Sequence, residues 1–138
     1  ASAQLQSGAK LLYRNIAFNS YSVLSVKDQF STQSPEAVEA VIKAYEQARK
    51  WAKANPDKLA ELLAREAKLP LEVAKLQLSR TNLDQNIPTA KQLNALKKAG
   101  TILTEEELVR KGTNVNQVVD QLFDSKYAQK VIGKVAEK

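Results

Sequence analysis

The densest group of chemically active side chains in the sequence is a run of three glutamates, Glu105, Glu106 and Glu107, within the segment TEEEL. Carboxylates can bind metal ions or act as general acids and bases. Consecutive helical residues point in different directions, so these three side chains are not expected to converge on one ion. The segment also matches a capping box, in which Thr104 and Glu107 bond to the free amides of a helix start. We therefore predict a helix N-terminus here and no metal site.

The amino-acid composition removes most catalytic chemistry. The chain of 138 residues contains no Cys and no His, which excludes thiol nucleophiles, imidazole bases, disulfides and most zinc sites. The four glycines are scattered, so they do not form a phosphate-binding loop. No remaining nucleophile is paired with a base at a recognisable spacing. We predict that the protein is not an enzyme and that it uses no cofactor.

The charge pattern argues against a nucleic-acid partner. The net charge is +6, and clustered Lys and Arg residues would suit a phosphate backbone. The charges are instead interleaved at helical spacing, as in the pairs Glu46 with Lys50 and Glu61 with Arg65. We therefore predict a solvated surface of mixed charge and no nucleic-acid binding.

The length and hydropathy suit one soluble domain. Domains commonly contain about 100 to 150 residues, and this chain falls in that range. No apolar run approaches the ~20 residues that span a bilayer. The first ten residues are too polar for the core of a signal peptide. We expect a soluble protein from which any export signal has been removed.

Two short strands are predicted near the start of the chain. Residues 9–14 (AKLLYR) form a short apolar run, and residues 21–26 (YSVLSV) alternate between two faces. The connector between them contains Asn15, Asn19 and Ser20, whose side chains favour turns. Two strands of this length cannot form a stable sheet alone, so they need strand partners from elsewhere.

Helices are predicted from Ser34 to the end of the chain. Ser34 and Asn55 are suitable N-caps, and each is followed by a proline that fits the first helical position. A third helix is expected to begin near Pro70. The other predicted elements are a linker at residues 80–88, a helix from Thr89 to Ala99 that Gly100 stops, and amphipathic helices within residues 114–132.

The order of these elements resembles the C-terminal part of periplasmic substrate-binding proteins of the aliphatic sulfonate, taurine and nitrate ABC importer family. The resemblance covers residues 8–124. Its features are, in order, a strand, an aromatic residue that begins a helix, a long helix that starts with Pro-Glu and ends in Trp and Asn-Pro-acid, and a Leu-Pro before another helix. These features are residues 21–26, Phe30, Pro35 with Glu36, Trp51, Asn55 to Asp57, and Leu69 with Pro70.

The resemblance implies an α/β fold, namely the C-terminal portion of a type II periplasmic binding protein-like fold, predominantly helical with two short hinge strands. Residues 1–20 would be the end of the second lobe and the hinge crossing, and residues 21–138 the C-terminal helical part of the first lobe. The N-terminal portion, which holds most of the family's ligand contacts, would be absent from this chain. The apolar faces and sheet edges left exposed would then pair with a complementary N-terminal fragment or a second copy.

The resemblance also implies a function without bond chemistry. The chain would belong to a solute-binding component of an ABC importer, which captures a sulfonate, taurine or nitrate-like anion between two lobes and delivers it to a membrane permease. Its location would be periplasmic or extracytoplasmic, with a membrane-anchored lipoprotein as one form.

The implied ligand-binding residues are Asn19, Ser20 and Tyr21 at the hinge crossing, and Arg80, whose guanidinium can hold a sulfonate by two hydrogen bonds. Each has a simpler interpretation. The first three favour turns and hinge packing, and Arg80 suits a water-facing cation at a helix C-terminus. The chain also departs from the family at YRNIAFNSY, where related proteins often have an Asp-Gly-like turn.

A free-standing helical module for protein–protein interaction is the alternative function. Such a module would present its apolar helix faces to another protein. An all-helical module has no use for two β-type segments, so the segments AKLLYR and YSVLSV favour the importer interpretation. The scaffold does not fix which anion is bound.

Overall fold

The computed structural model describes residues 1–15 and 21–133, and every regular element in these ranges is a helix. The elements are α1 (Ser2–Gln6), α2 (Asp28–Gln33), α3 (Pro35–Ala54), α4 (Pro56–Glu66), α5 (Leu71–Leu78), α6 (Ala90–Glu105), α7 (Val115–Leu122) and α8 (Lys126–Ile132). They belong to two compact units. The first unit contains Ala1–Val23 and Tyr45–Asp84, and the second contains Leu24–Ala44 and Gln85–Lys138.

The two predicted strands are not formed. Residues 9–14 and 21–26 are irregular, so the prediction of an α/β fold with two hinge strands is wrong for this chain. A strand needs a neighbour to bond its amides and carbonyls, and the described residues supply none. Val23 is 75% exposed and Leu24 54% exposed, so neither apolar face of the second segment is buried. Alternation alone did not produce a strand.

The predicted helix starts at the prolines are confirmed. Helix α3 begins at Pro35, α4 begins at Pro56, and α5 begins directly after Pro70. Proline suits these positions because it fixes φ near the helical value and its missing amide proton has no acceptor in the first turn. The predicted linker is also confirmed, since residues 80–88 contain no helix.

The first unit is held together by the packing of α4 on α5. Its most buried residues are Ala60 on α4 and Val73 and Ala74 on α5, and Val73 has no exposed surface. Small side chains at the contact allow the two helix backbones to approach closely. The turn between them places Lys68 at a φ of 52°, with the Leu69 amide bonded to the Ala64 carbonyl, as in a Schellman motif.

The second unit depends on the packing of α6 on α7. Helix α6 continues through Gly100 to Glu105, so the prediction that Gly100 stops this helix is wrong. Glycine is needed here for packing, because a Cβ atom added to Gly100 would lie only 2.2 Å from Val115 Cγ1 on α7. Gly100 therefore leaves space for the Val115 side chain at the start of α7, and it does not end α6.

The remaining helices of the second unit are joined by polar contacts as well as by apolar packing. Tyr127 Oη on α8 donates a 2.8 Å hydrogen bond to the Ser31 carbonyl on α2, and Lys130 pairs with Glu39 on α3. Val38, Ile87, Val119 and Ala128 are the buried apolar residues. The amphipathic helices predicted within residues 114–132 are confirmed as α7 and α8.

The segment TEEEL ends a helix instead of starting one, so the predicted capping box at Thr104 is wrong. Thr104 lies in the last turn of α6, where its hydroxyl donates to the Gly100 carbonyl at 2.9 Å. Glu107 has a φ of 56°, and the Leu108 amide bonds the Leu103 carbonyl. This arrangement is a Schellman motif with glutamate at the position that glycine usually occupies.

The predicted cap at Thr89 is confirmed, and it is here that a capping box forms. The Gln92 side-chain oxygen accepts from the Thr89 amide at 3.0 Å and from the Thr89 hydroxyl at 2.6 Å. Glutamine in the third helical position is sufficient for this exchange.

The contact between Gly100 and Val115 predicts how a substitution at Gly100 changes stability. Gly100→Ala should lower the free energy of unfolding by about 1–3 kcal/mol, because the new methyl group overpacks the contact with Val115. At an uncrowded helix position the same change stabilises by about 1 kcal/mol. Urea unfolding followed by circular dichroism measures the effect.

Val115→Ala provides the control for this prediction. The Val115→Ala variant lacks Val115 Cγ1, the atom that would clash with the new methyl group. In that variant Gly100→Ala should therefore be neutral or stabilising. Equal destabilisation in both backgrounds would contradict the proposed contact.

Glu107→Gly should raise the free energy of unfolding by about 0.5–1 kcal/mol, because glycine adopts a positive φ without a steric penalty. The matched control is Glu106→Gly, since Glu106 has a φ of −82° and gains nothing from glycine. Thermal unfolding of both variants tests the prediction. A Glu107→Gly variant no more stable than the Glu106→Gly variant would show that the motif is unstrained.

Candidate functional site

The structure describes two of the four predicted ligand-binding residues. Asn19 and Ser20 lie outside the described residues. Tyr21 is 43% exposed in an irregular segment. Arg80 follows α5, is half-buried, and belongs with Tyr21 to the first unit.

Arg80 is the centre of a polar cluster that links three separate parts of the first unit. Its Nη2 donates to Gln4 Oε1 on α1 at 2.6 Å. Arg14 Nη2 donates to the Arg80 main-chain carbonyl at 3.3 Å. We call Gln4, Arg14 and Arg80 the Arg80 cluster. The Arg14 guanidinium therefore lies against the main chain of Arg80, and the Arg80 guanidinium lies against Gln4.

The carboxylates of the first unit are mostly paired with other cations. The ion pairs are Glu46 with Arg49 and Lys50, Asp57 with Lys75, Glu66 with Arg65, and Asp84 with Lys53. Within residues 1–15 and 21–133, neither Arg14 nor Arg80 forms an ion pair. The positive charge of the Arg80 cluster is thus not neutralised by the described part of the protein.

Sequence reasoning found Arg80 but missed its two neighbours. Arg14 and Gln4 are separated from Arg80 by 66 and 76 positions, respectively. No local pattern links residues so far apart, because tertiary packing alone brings α1 and the end of α5 together. Residue type predicted one guanidinium as an anion ligand, and the fold places the Arg14 guanidinium against the main chain of that residue.

A second set of polar contacts binds the linker that follows Arg80 to helix α3. Arg49 on α3 donates to both carboxylate oxygens of Glu46, at 2.7 and 2.8 Å, and to the Leu83 carbonyl at 2.8 Å. Lys53 on the same helix pairs with Asp84. We call these five residues the linker clamp. Glu46 is only 9% exposed, so its pairing with Arg49 offsets the cost of burying its charge.

The linker clamp shifts the titration of its members. The hydrogen bond from Lys53, aided by the charge of Lys53, holds the pKa of Asp84 below its usual value. The hydrogen bond to Glu46 raises the pKa of Arg49 despite partial burial. These shifts favour the charged forms of both residues, which suits a structural contact.

The second unit contains an open cavity of about 280 Å³ between α6 and α7. Thr101 and Thr104 contribute hydroxyls that already donate to the Lys97 and Gly100 carbonyls, and Glu105 adds a carboxylate. The other lining residues are Thr113, Asn114, Val115 and Asn116. The lining includes no cation, so the cavity does not suit an anion.

The described ranges contain no group of three or more His, Cys, Asp and Glu residues able to hold a metal ion. Of the three consecutive glutamates, only Glu105 lines the cavity. No helix among the described residues is both long enough and apolar enough to span a membrane.

Several large apolar side chains remain on the surface. Trp51, the single tryptophan, is 43% exposed on the last turns of α3. The other prominent examples are Leu12, Tyr13 and Val23 in the first unit, and Leu24, Val26, Leu108, Val118 and Leu122 in the second. Patches of this kind often mark surfaces that another protein covers.

Asp84 gives a prediction for pH dependence. The pKa of Asp84 is lower in the folded protein than in the unfolded chain. Its ionised carboxylate therefore stabilises the fold at any pH above the unfolded pKa. This stabilisation is lost as the pH falls through the folded pKa. Asp84→Asn should therefore be less stable than the unsubstituted protein at neutral pH. The difference should shrink below about pH 4. Urea unfolding over a pH series measures it.

Glu61→Gln is the matched control for Asp84→Asn, because Glu61 forms no ion pair with the described residues. Its stability relative to the unsubstituted protein should change little between neutral and acid pH. An Asp84→Asn variant that loses no stability at neutral pH would show that the Lys53 pair does not stabilise the fold.

Comparison of the chain with protein-family models, with curated proteins and with solved structures gives no match in any of the three.

Proposed function

We propose that the chain is a helical part of the solute-binding component of an ABC importer, which captures a small anion such as a sulfonate, taurine or nitrate. The observation that carries this proposal is the order of the helix starts. Helices α3, α4 and α5 begin at the Pro35, Pro56 and Pro70 positions at which the importer family's pattern has its helix starts. The lone Trp51 also lies near the end of the first of these helices.

The charge distribution is compatible with an anionic ligand. In the described first unit, the guanidinium groups of Arg14 and Arg80 have no carboxylate partner, as the ion pairs above show. Arginine suits this task because its planar fork of N–H donors matches the oxygens of an anion. Capture of this kind makes and breaks no covalent bond, which accords with a chain that has no Cys or His.

The exposed apolar residues support a partner for this chain. The segment at residues 21–26 makes no backbone hydrogen bond to the described residues and exposes Val23 and Leu24. In the proposed protein a complementary N-terminal part, or a second copy, covers these side chains. The loaded binding component then delivers its anion to a membrane permease in an extracytoplasmic compartment.

A helical protein–protein interaction module is the second candidate function. It requires no strands, which accords with the purely helical elements of residues 1–15 and 21–133. The observation that favours it is the pair Val118 and Leu122, which lie four residues apart on α7 and are both exposed. Residues at this spacing share one face of a helix, and such a face can enter a groove on another protein. This function requires no anion.

An uptake experiment separates the two functions. In cells that naturally make the protein, deletion of its gene should reduce the uptake of radiolabelled taurine, of a simple alkanesulfonate or of nitrate to the level of a permease-deficient strain. A plasmid copy of the gene should restore it. Unchanged uptake of all three anions would contradict the importer function and favour the interaction module.

A further inference from the structure

The Arg80 cluster combines three contacts that only the fold brings together. Gln4 lies on α1, Arg14 lies in the irregular segment that follows α1, and Arg80 lies just after α5. Arg80 points its guanidinium at Gln4, and the Arg14 guanidinium reaches the Arg80 carbonyl. Each arginine side chain therefore donates to one amide oxygen, and neither is paired with a carboxylate among the described residues.

Most of the hydrogen-bonding capacity of this cluster is unused. Among the described residues, each of the two guanidiniums has one hydrogen-bond acceptor, although a guanidinium has several N–H donors. Arginine has no acceptor atom, so the Gln4 side chain must present its oxygen to Arg80. The Gln4 amide nitrogen makes no hydrogen bond within the described residues, which leaves further N–H donors at the same place.

The electrostatic setting favours an anion at the cluster. The first unit contains ten Lys and Arg residues and six Asp and Glu residues, giving it a formal charge of +4. Arg80 and Gln4 are half-buried, so water weakens their interactions less than it would on an open surface. Arg14 is exposed, which leaves a route from the solvent to the cluster.

We infer that Gln4, Arg14 and Arg80 form a binding site for one small oxyanion, held by N–H donors from both guanidiniums while Gln4 fixes the orientation of Arg80. Sulfonate, carboxylate and nitrate groups share the oxygens that this arrangement recognises. The inference builds on the proposed function, because it assigns the anion to a particular site. It adds Arg14 as a ligand and Gln4 as a positioning residue.

Arginine side-chain NMR tests this site directly. The full protein that the gene encodes is labelled with ¹⁵N, and the arginine Nε–H signals are followed while sodium methanesulfonate replaces sodium chloride at constant ionic strength. The Arg14 and Arg80 signals should shift and saturate together. The signals of Arg65, which already pairs with Glu66, and of Arg110 should stay in place. Sodium acetate and sodium nitrate, titrated in the same way, distinguish the three oxyanion classes.

Single substitutions test the two arginines. Arg14→Ala and Arg80→Ala should each raise the Kd for the anion by about tenfold or more, because each removes a charged hydrogen-bonding group. Arg65→Ala is the matched control and should leave the Kd unchanged. Arg80→Lys keeps the charge but loses the planar fork, so it should weaken binding nearly as much as alanine does.

Two outcomes of the titrations would overturn the site. One is the absence of saturable shifts at Arg14 and Arg80 with all three anions, and the other is an equal loss of binding in Arg65→Ala. Arg14 is exposed and its substitution should preserve the fold, which circular dichroism verifies. Uptake that persists in an Arg14→Ala, Arg80→Ala double variant would overturn this site and leave the importer function intact.

Discussion

Close packing of small side chains holds both units together. Ala60 and Ala74 lie at the contact between α4 and α5, and Gly100 lies at the contact between α6 and α7. Helices joined through such residues approach closely and gain dispersion energy from their backbones. The bulky apolar residues that would normally fill a core are then left over, and many of them appear on the surface. The dependence on small residues thus accounts for the close packing of each unit and for the bulky apolar side chains on its surface.

The sequence predicted the elements whose causes are local. Pro35 and Pro56 mark helix starts because proline acts on its own φ and on its own missing proton. The strands at residues 9–14 and 21–26 were predicted wrongly, because a strand is formed by its neighbour and no neighbour exists in the described residues. The end of α6 was also missed. Gly100 continues the helix for a reason located at Val115, and Glu107 occupies a position where sequence rules expect glycine.

In the candidate site, too, local features could be predicted from the sequence and long-range contacts could not. Arg80 could be selected from its chemistry, whereas Gln4 and Arg14 could be found only from the fold. The linker clamp was equally hidden, because Arg49 and Leu83 are 34 positions apart. It holds the chain immediately after Arg80 against α3. Attachment on this side, together with the hydrogen bond to Gln4 on the other, restricts the motion of the Arg80 side chain.

The position of Trp51 has a practical consequence for spectroscopy. It is the single indole in the chain, it is partly exposed to water, and its carbonyl accepts from the Asn55 side chain at 2.9 Å. Arg49 and Lys53, both members of the linker clamp, lie two residues to either side of it. Intrinsic fluorescence excited at the indole band therefore originates at one end of α3 within the first unit. Its emission wavelength and quenching by iodide report the state of that end of the helix without any attached dye.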